Sequence, residues 1–283
     1  MKISVRNAPI FAAALVLGLF AAVKPATADT FSIQYFEVPT GTADFYNGNP
    51  PGLGTSLNYV MPYLGPDGLP VFNPSFTGGG VYAPASQYLN SAGEILYWSP
   101  SNPQGGDVIG DGSGTITLSS SAVTMYPPGS SGPGTGGANN GTGNDGTDEE
   151  TAILTGQFTV PAASSDTVTF DIGADDMAFA YVFPVGDPTD PTSLVESLGG
   201  IHGDTITPSN SVTYGAGTYQ IEIFYADRDT TGSDLSFSDT GSFTIGPPPP
   251  PPVTGTTPEP STFMLLGTGL LGAAGIMRRR LAS

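Results

Sequence analysis

Short stretches in which apolar and polar side chains alternate recur along the whole middle of the chain. Such alternation is typical of strands, because successive strand residues point to opposite faces of a sheet. No window of eleven or more residues shows the 3.6-residue period of an amphipathic helix. The clearest stretches predict strands near 31–38, 153–160, 167–172, 177–183 and 219–225, with shorter candidates at 94–98, 115–118 and 242–245.

The abundance of glycine and proline supports the same fold class. The chain has 40 glycines and 28 prolines among 283 residues, which disfavours long helices and suits strands joined by tight turns. It has no cysteine, so disulfides, thiolate metal sites and cysteine nucleophiles are excluded. We therefore predict an all-β, mostly antiparallel β-sandwich over 29–246 with long Gly/Pro-rich loops, although a region of about 215 residues also allows two small domains.

One stretch, at about 127–150, is predicted to be a flexible loop. Residues 127–144 consist almost entirely of Gly, Pro, Ser, Thr and Asn, so they cannot bury apolar surface. We interpret the stretch as an insertion within one domain, and a linker between two domains is the alternative.

Charge is distributed very unevenly along the chain. All 25 acidic residues lie within 29–259, where Arg228 is the one basic residue, so this region carries a net charge of −24. Nucleic-acid binding depends mainly on Lys and Arg contacts to phosphates, so a nucleic-acid partner is excluded. Divalent cations, neutral sugars and a matrix partner remain open.

The first 28 residues have the features of a secretory signal peptide. Lys2 and Arg6 precede an apolar run at 10–23, and Ala26-Thr27-Ala28 is a small-x-small cleavage site. We expect a signal helix that is removed after Ala28. The alternative is an uncleaved membrane anchor, for which the run is shorter than the ~20 residues needed to span a bilayer.

The other end has a proline-rich spacer, a short apolar segment and a basic terminus. Six prolines begin a stiff spacer at 247–257, followed by Pro258, Glu259 and Pro260. The apolar segment 263–277 is predicted to be a short transmembrane helix, which at ~1.5 Å per residue falls short of the ~30 Å hydrocarbon core. An arginine cluster favours a cytoplasmic C-terminus, and it comprises Arg278, Arg279 and Arg280.

Residues 258–283 resemble the PEP-CTERM sorting signal of Gram-negative, exopolysaccharide-producing bacteria. The resemblance implies recognition by an exosortase, with processing at or near Pro258, Glu259 and Pro260. It also implies an exported protein with an inner-membrane-anchored intermediate and a final place at the cell surface or outside the cell. Thr257 stands where the family often has Val. A plain C-terminal tail anchor is the alternative.

The second half carries a denser set of motifs, which are Asp175-Asp176, Gly199-Gly-Ile-His202, Gly217-Thr-Tyr219, Phe224-Tyr-Ala-Asp227-Arg228 and Gly232-Ser233. Over about 165–237 this pattern resembles the fibro-slime domain, a relative of the anthrax-protective-antigen-like lectin β-sandwich. Asp44-Phe45 matches the Asp-Phe pair at the start of that family's pattern. Met177 departs from it, because the family often has a third Asp there.

The resemblance implies a non-catalytic carbohydrate-binding module assisted by Ca²⁺. In the lectin branch, two adjacent aspartates joined by a cis peptide bond chelate the ion, so Asp175 and Asp176 are the candidate ligands. Neighbouring strand residues can share one ion only if the backbone bends sharply. Ca²⁺ takes about six to eight oxygen ligands, so Asp229 and Asp234 of the following loop are further candidates. For such a site we expect both aspartates to be partly exposed at the rim of the sandwich, and repulsion between the clustered carboxylates should raise the pKa of at least one of them. Removal of Asp176 should then abolish Ca²⁺ binding and leave the fold intact. The alternative is that Asp175 and Asp176 merely open a turn.

Two single residues fall inside the same pattern. We interpret His202, the one histidine, as a packed side chain bonded to a backbone carbonyl, with a catalytic base as the alternative. For Arg228 we expect an ion pair or a bidentate clamp on carboxylates, with a sugar or partner contact second.

Three functions follow for such a chain. The first is a surface or matrix protein that binds carbohydrate, for example the cell's own exopolysaccharide. The second is a purely structural or adhesive protein without a small ligand. The third is a glycoside hydrolase using two of Asp171, Asp175 and Asp176. The two carboxylates of such an enzyme must lie ~5–9.5 Å apart across a cleft, and adjacent residues rarely do so.

Overall fold

The computed structural model describes residues 28–39, 44–45, 54–56, 58–76, 83–99, 109–125, 148–203, 205–228 and 233–250. Within these residues the chain forms strands and two single-turn 3₁₀ helices, Ser86–Tyr88 and Leu96–Trp98, and no α-helix. The predicted signal helix and C-terminal helix lie outside the described residues. None of the described helices has the length and apolar character needed to cross a membrane.

The strands, in chain order, are β1 (Asp29–Pro39), β2 (Gly54–Ser56), β3 (Val60–Leu64), β4 (Pro70–Phe72), β5 (Ile109–Leu118), β6 (Val123–Thr124), β7 (Asp148–Val168), β8 (Phe170–Asp175), β9 (Met177–Pro184), β10 (Leu194–Ile201), β11 (Thr205–Pro208), β12 (Val212–Ala226) and β13 (Asp234–Asp239). All of their pairings are antiparallel. The prediction of an all-β, antiparallel fold is therefore confirmed.

Two sheets pack face to face around a first hydrophobic core. The larger sheet has the order β2-β10-β9-β12-β7-β1-β5, and the smaller has the order β11-β8-β13-β6. Aromatic side chains connect them, since Phe31 of β1 meets Phe237 of β13 edge-on at 5.3 Å between ring centroids. The first core draws buried side chains from both sheets. This is the sandwich that the sequence predicts.

The larger sheet is buried on both faces along β9 and part of β12. Ala178, Ala180 and Val182 face the first core, whereas Met177, Phe179, Tyr181 and Phe183 face a second core. The period-two pattern of the sequence is thus correct, and the small residues fit against the facing sheet. A strand covered on both sides needs an unbroken apolar sequence, which 177–183 provides.

The second core lies under the segment that links β2 to β5. The β3–β4 hairpin and the two 3₁₀ turns supply its aromatic side chains, among them Tyr59, Tyr88, Tyr97 and Trp98. The Trp98 ring packs edge-on against Phe224 of β12 at 5.2 Å.

Two predicted strands are absent, and others have different limits. The prediction at 94–98 is wrong, because Leu96, Tyr97 and Trp98 are all buried in one 3₁₀ turn, whereas a strand would turn one of them to the other side. The prediction at 242–245 is also wrong, because the Phe243 side chain stacks on Phe158 at 3.9 Å and the described backbone forms only an isolated bridge at Gly246.

The predicted strand 167–172 is split at Thr169, where the chain passes from the larger sheet to the smaller.

The predicted loop at about 127–150 ends earlier than expected. β7 begins at Asp148, and residues 126–147 lie outside the described part of the chain. The strand before this stretch, β6, lies in the smaller sheet, and the strand after it, β7, lies in the larger sheet, so both flanking strands belong to the same sandwich.

Candidate functional site

Asp175 and Asp176 lie where the chain crosses from the smaller sheet to the larger. β8 ends at Asp175 and β9 begins at Met177, so Asp176 is the crossing residue. The peptide bond between the two aspartates is cis, as the fibro-slime resemblance implied. Asp175 is half-buried and is the direct register partner of Asp234 on β13. Side chains of directly opposite residues share a face, so these two carboxylates are neighbours on the outer side of the smaller sheet.

The Asp176 carboxylate is buried and fastens two other chain segments. Its side chain has only 2% of its surface exposed, although the sequence led us to expect a partly exposed residue. Oδ1 accepts a hydrogen bond from the backbone N–H of His202 at 3.0 Å, and Oδ2 accepts one from the backbone N–H of Arg228 at 2.8 Å. His202 is the first residue after β10, and Arg228 is the second residue after β12. One carboxylate therefore holds the ends of two strands to the crossover.

Burial is the main influence on the charge of Asp176. It raises the pKa of this carboxyl well above its ordinary value, and the Arg228 N–H partly offsets that effect. Repulsion from Asp175 raises the pKa of Asp176 further. The direction agrees with the expectation for clustered carboxylates, but burial comes before repulsion as its cause.

The Arg228 guanidinium is completely buried beneath the second core. Its Nε donates to the backbone carbonyl of Asp44 at 3.0 Å, and its Nη1 donates to the Tyr59 hydroxyl at 3.4 Å. The guanidinium carbon lies 5.5 Å from the centre of the Tyr97 ring, a cation–π distance. Among the described residues, the guanidinium donates its hydrogen bonds to a carbonyl and a phenol, and no bidentate clamp on a carboxylate is seen there.

Asp44 completes this group of buried polar residues. Its Oδ2 accepts the backbone N–H of Ala85 at 2.6 Å and the Tyr97 hydroxyl at 2.9 Å. Burial lowers the pKa of Arg228, but Tyr97, Tyr59 and the Asp44 and Asp176 carboxylates outweigh it and raise that pKa overall. We call the set Asp44, Tyr59, Tyr97, Asp176, His202 and Arg228 the polar hub.

His202 and the glycines before it have structural roles in this hub. The His202 ring is buried, and its Nδ1 lies 3.1 Å from the Gly203 carbonyl oxygen, which confirms the interpretation of a packed histidine. At Gly199, an added Cβ would come within 2.3 Å of the Tyr59 Cβ. The strand carries glycine there because the Tyr59 side chain lies directly against its backbone.

Three of the four carboxylates predicted as Ca²⁺ ligands, Asp175, Asp176 and Asp234, lie at this end of the sandwich. Each oxygen of Asp176 accepts one backbone N–H, and Asp175 and Asp234 are direct register partners on neighbouring strands. Asp229 lies outside the described residues. Within the described ranges, no group of three acidic or histidine side chains is close enough to hold a metal ion.

The C-terminal region of the chain matches a known protein-family motif. Residues 256–280 match the PEP-CTERM protein-sorting motif. The match includes Pro258, Glu259 and Pro260 and the arginine cluster 278–280, which are the predicted processing and sorting residues. The PEP-CTERM motif indicates export, with a destination at the cell surface or outside the cell. No curated protein sequence matches the chain.

Several solved β-sandwich domains are similar to this fold. The PA14 sugar-binding domain from an RTX adhesin is 18% identical, with 46% of this chain and 73% of that chain covered and a TM-score of 0.31. The A domain of Epithelial Adhesin 9 from Candida glabrata, solved with Galβ1-4GlcNAc, is 14% identical, with coverage of 78% and 90% and a TM-score of 0.35. The PA14 domain of the MpAFP antifreeze protein is 16% identical, with coverage of 36% and 55% and a TM-score of 0.27.

The first strand of the sandwich begins directly after the predicted cleavage point. Ala28 is exposed, and β1 begins at the next residue, Asp29. The Asp29 carboxylate accepts the backbone N–H of Ile245 at 2.9 Å, and the N–H of Thr30 donates to the Ile245 carbonyl at 3.1 Å. The two ends of the sandwich sequence are thus joined beside the predicted cleavage point.

Sequence reasoning missed the aromatic members of the hub. Asp44, Asp176, His202 and Arg228 belong to motifs quoted from the sequence, but Tyr59 and Tyr97 do not. These tyrosines reach the hub through the long segment between β2 and β5, whose path no local pattern predicts.

Proposed function

We propose that this protein is an exported, exosortase-processed surface or matrix protein whose sandwich is a non-catalytic carbohydrate-binding module. The proposed binding surface is the sandwich end at Asp175 and Asp176. Its ligand would be a glycan of the cell's surroundings, with the cell's own exopolysaccharide as the first candidate. The PEP-CTERM motif supports the exported location, and the sequence resemblance to fibro-slime domains supports the module.

One observation carries the assignment to this end of the molecule. The Asp176 carboxylate holds the chain just after β10 and just after β12 through hydrogen bonds from the backbone N–H groups of His202 and Arg228. Arg228 also donates a hydrogen bond to the Asp44 carbonyl, so the polar hub joins the connections that follow β1, β10 and β12. Binding surfaces need such preorganised support, because flexible loops lose entropy when a ligand orders them.

The same bonds argue against a hydrolase. A glycosidase needs two carboxyl groups that face the substrate from opposite sides. Both oxygens of Asp176 accept backbone N–H groups inside the protein, and only 2% of the residue is exposed. Asp176 is therefore a support for the surface rather than a proton donor to a sugar.

We extend the proposal to assistance by Ca²⁺. Asp175, Asp176 and Asp234 would contribute carboxylate oxygens, with Asp229 as a further candidate, and a bound ion would coordinate sugar hydroxyls. The test is thermal unfolding of the exported protein with Ca²⁺, with Mg²⁺ and with EDTA. A ligand that binds only the folded state raises the melting temperature, so Ca²⁺ should raise it in the wild type and not in Asp175→Asn. An equal melting temperature in all three buffers would remove Ca²⁺ from the proposal.

A glycan array with and without Ca²⁺ tests the module itself. We expect a defined set of glycans to bind the wild type and to be lost in Asp175→Asn, which removes one negative charge at this end of the sandwich and keeps the size of the side chain. Asp190→Asn, a half-exposed aspartate in the β9–β10 connection, is the matched control. An array without any specific signal would favour the second candidate, a structural or adhesive protein without a small ligand.

A further inference from the structure

A groove of about 760 Å³ crosses the part of the larger sheet that the second core leaves uncovered. Its floor includes Phe183 of β9, Gln220 and Glu222 of β12, Ile153 of β7 and Gln34 of β1. The 3₁₀ turn at Trp98 borders one side and the β9–β10 turn borders the other. The volume falls in the range of known ligand sites, about 300–1,000 Å³.

A second depression of about 570 Å³ continues the groove toward the sheet edge. It shares Gln34 and Ile153 with the first and adds hydroxyl side chains from β1, β5 and β7. Gln34 lies opposite Ser113, and Ser32 lies opposite Thr115, so these polar residues form adjacent cross-strand pairs. The two depressions form one polar track over five neighbouring strands, which at ~4.8 Å per strand spacing is about 19 Å long.

An ordered chain of side-chain amides runs from Gln157, beside the track, to Gln220 and Glu222 in its floor. Gln220 Nε2 donates to the Glu222 carboxylate at 2.6 Å, and Gln157 Nε2 donates to the Gln220 carbonyl oxygen at 3.3 Å. An ionised carboxylate only accepts hydrogen bonds, so it sets the orientation of both amides. Each amide keeps a second N–H and a free lone pair. The track therefore offers donors and acceptors in fixed positions.

The charge of the domain restricts what could bind there. The region 29–259 carries a net charge of −24, and its one basic residue, Arg228, is buried in the polar hub. A polyanion would be repelled along the whole track. A neutral ligand whose hydroxyls both donate and accept hydrogen bonds matches the amide and hydroxyl floor.

We infer that this track binds a segment of a neutral polysaccharide lying across the strands. The track is separate from the Asp175–Asp176 end, because Gln220 precedes Ala226, the last residue of β12, by six positions, about 20 Å along the strand. It needs neither Ca²⁺ nor Asp175. The inference goes beyond the proposed function, and either can fail without the other.

The test is affinity electrophoresis of the protein as its host exports it, in gels that contain EDTA. The neutral probes are galactomannan, dextran, mixed-linkage β-glucan and the neutral exopolysaccharide fraction of the host, and alginate is the anionic probe. We expect at least one neutral polymer to retard the protein and alginate to leave it unaffected. Gln34→Ala combined with Gln220→Ala should weaken the retardation about tenfold, since hydrogen bonds to the ligand are lost. Gln87→Ala, a half-buried glutamine outside the track, is the matched control.

A second measurement locates the binding without relying on the variants. Trp98 is the one tryptophan of the chain and borders the groove. Its fluorescence should change saturably with the polymer that retards the protein, in the wild type and equally in Asp175→Asn. Retardation by none of the neutral polymers, an unchanged affinity in the double variant, or binding that requires Ca²⁺ and Asp175 would each overturn the inference. If a neutral polymer retards the protein but the glycan array shows no Ca²⁺-dependent binding, the result counts against the proposed function and not against this inference.

Discussion

The Asp176 carboxylate accepts a 2.8 Å hydrogen bond from the backbone N–H of Arg228, which lies 52 residues further along the chain. This bond connects the crossover between the two sheets to the end of the central strand β12. The guanidinium of the same arginine continues the connection to the carbonyl of Asp44. Segments that are distant in the sequence therefore depend on one another at this end of the sandwich.

Replacing Asp176 by alanine should destabilise the protein. Two buried N–H groups would lose their acceptor, at roughly 1–3 kcal/mol each, so we expect a loss of about 2–6 kcal/mol in the free energy of unfolding. Urea unfolding monitored by circular dichroism measures this loss. Asp190→Asn is the control, because the amide oxygen of asparagine can still accept the hydrogen bonds that Thr192 donates, and it should change the free energy of unfolding by less than about 0.5 kcal/mol. Equal stability of Asp176→Ala and the wild type would show that the two hydrogen bonds contribute nothing.

This prediction differs from the one that the sequence alone supports. From the motif, Asp176 is an exposed metal-ligand candidate, and its removal should leave the fold intact. Sequence similarity indicates which residues recur together, but it does not show whether a carboxylate faces solvent or backbone N–H groups. That distinction depends on where β10 and β12 end, which is a property of the packed sheets.

Gly199→Ala should also destabilise the sandwich. The new methyl group would lie within 2.3 Å of the Tyr59 Cβ, so either the tyrosine or the strand must move. Overpacking of this kind costs roughly 1–3 kcal/mol. Gly203→Ala is a control from the same motif, because no heavy atom lies within 4 Å of its added Cβ. If both variants unfold at the same urea concentration, close contact with Tyr59 is not the reason for the glycine.

Stability should fall as the pH rises toward neutrality, and Glu196 should account for part of the fall. Burial raises the pKa of Glu196 from 4.5 to about 7, partly offset by the N–H of Ser197, and Asp171 raises it further. The folded state therefore binds a proton that the unfolded state has released. The resulting stability is fully present below pH 4.5 and is lost as the pH passes through about 7.

Comparison of the wild type with Glu196→Gln isolates this contribution. The variant cannot titrate at this position, so its melting temperature should depend less on pH between 4.5 and 7. Both proteins share every other ionisable group, and the difference between their two curves reports on Glu196 alone. Parallel curves over this range would contradict a raised pKa.

How far the sequence predicts the fold depends on the number of faces that a strand buries. The alternation in 219–225 and the apolar run 177–183 identify β12 and β9, because each face of these strands has a consistent partner. The segment 94–98 misled the same reasoning, since its buried aromatic residues belong to a single 3₁₀ turn. Period-two reasoning assumes a sheet on at least one side, and this segment covers a sheet instead of joining one.

The last prediction concerns the C-terminal motif. If the match at 256–280 acts as a sorting signal, protein recovered from outside the host cell should lack residues 263–283. Glu259→Ala and replacement of Arg278, Arg279 and Arg280 by glutamine should both leave an uncut, membrane-bound form. Lys2 and Arg6 stay unchanged in both variants, so that export is preserved and only the tail differs from the wild type. Intact-mass analysis of the secreted and membrane fractions distinguishes the forms, and a secreted protein that retains Arg278 and the residues after it would show that the motif is not processed.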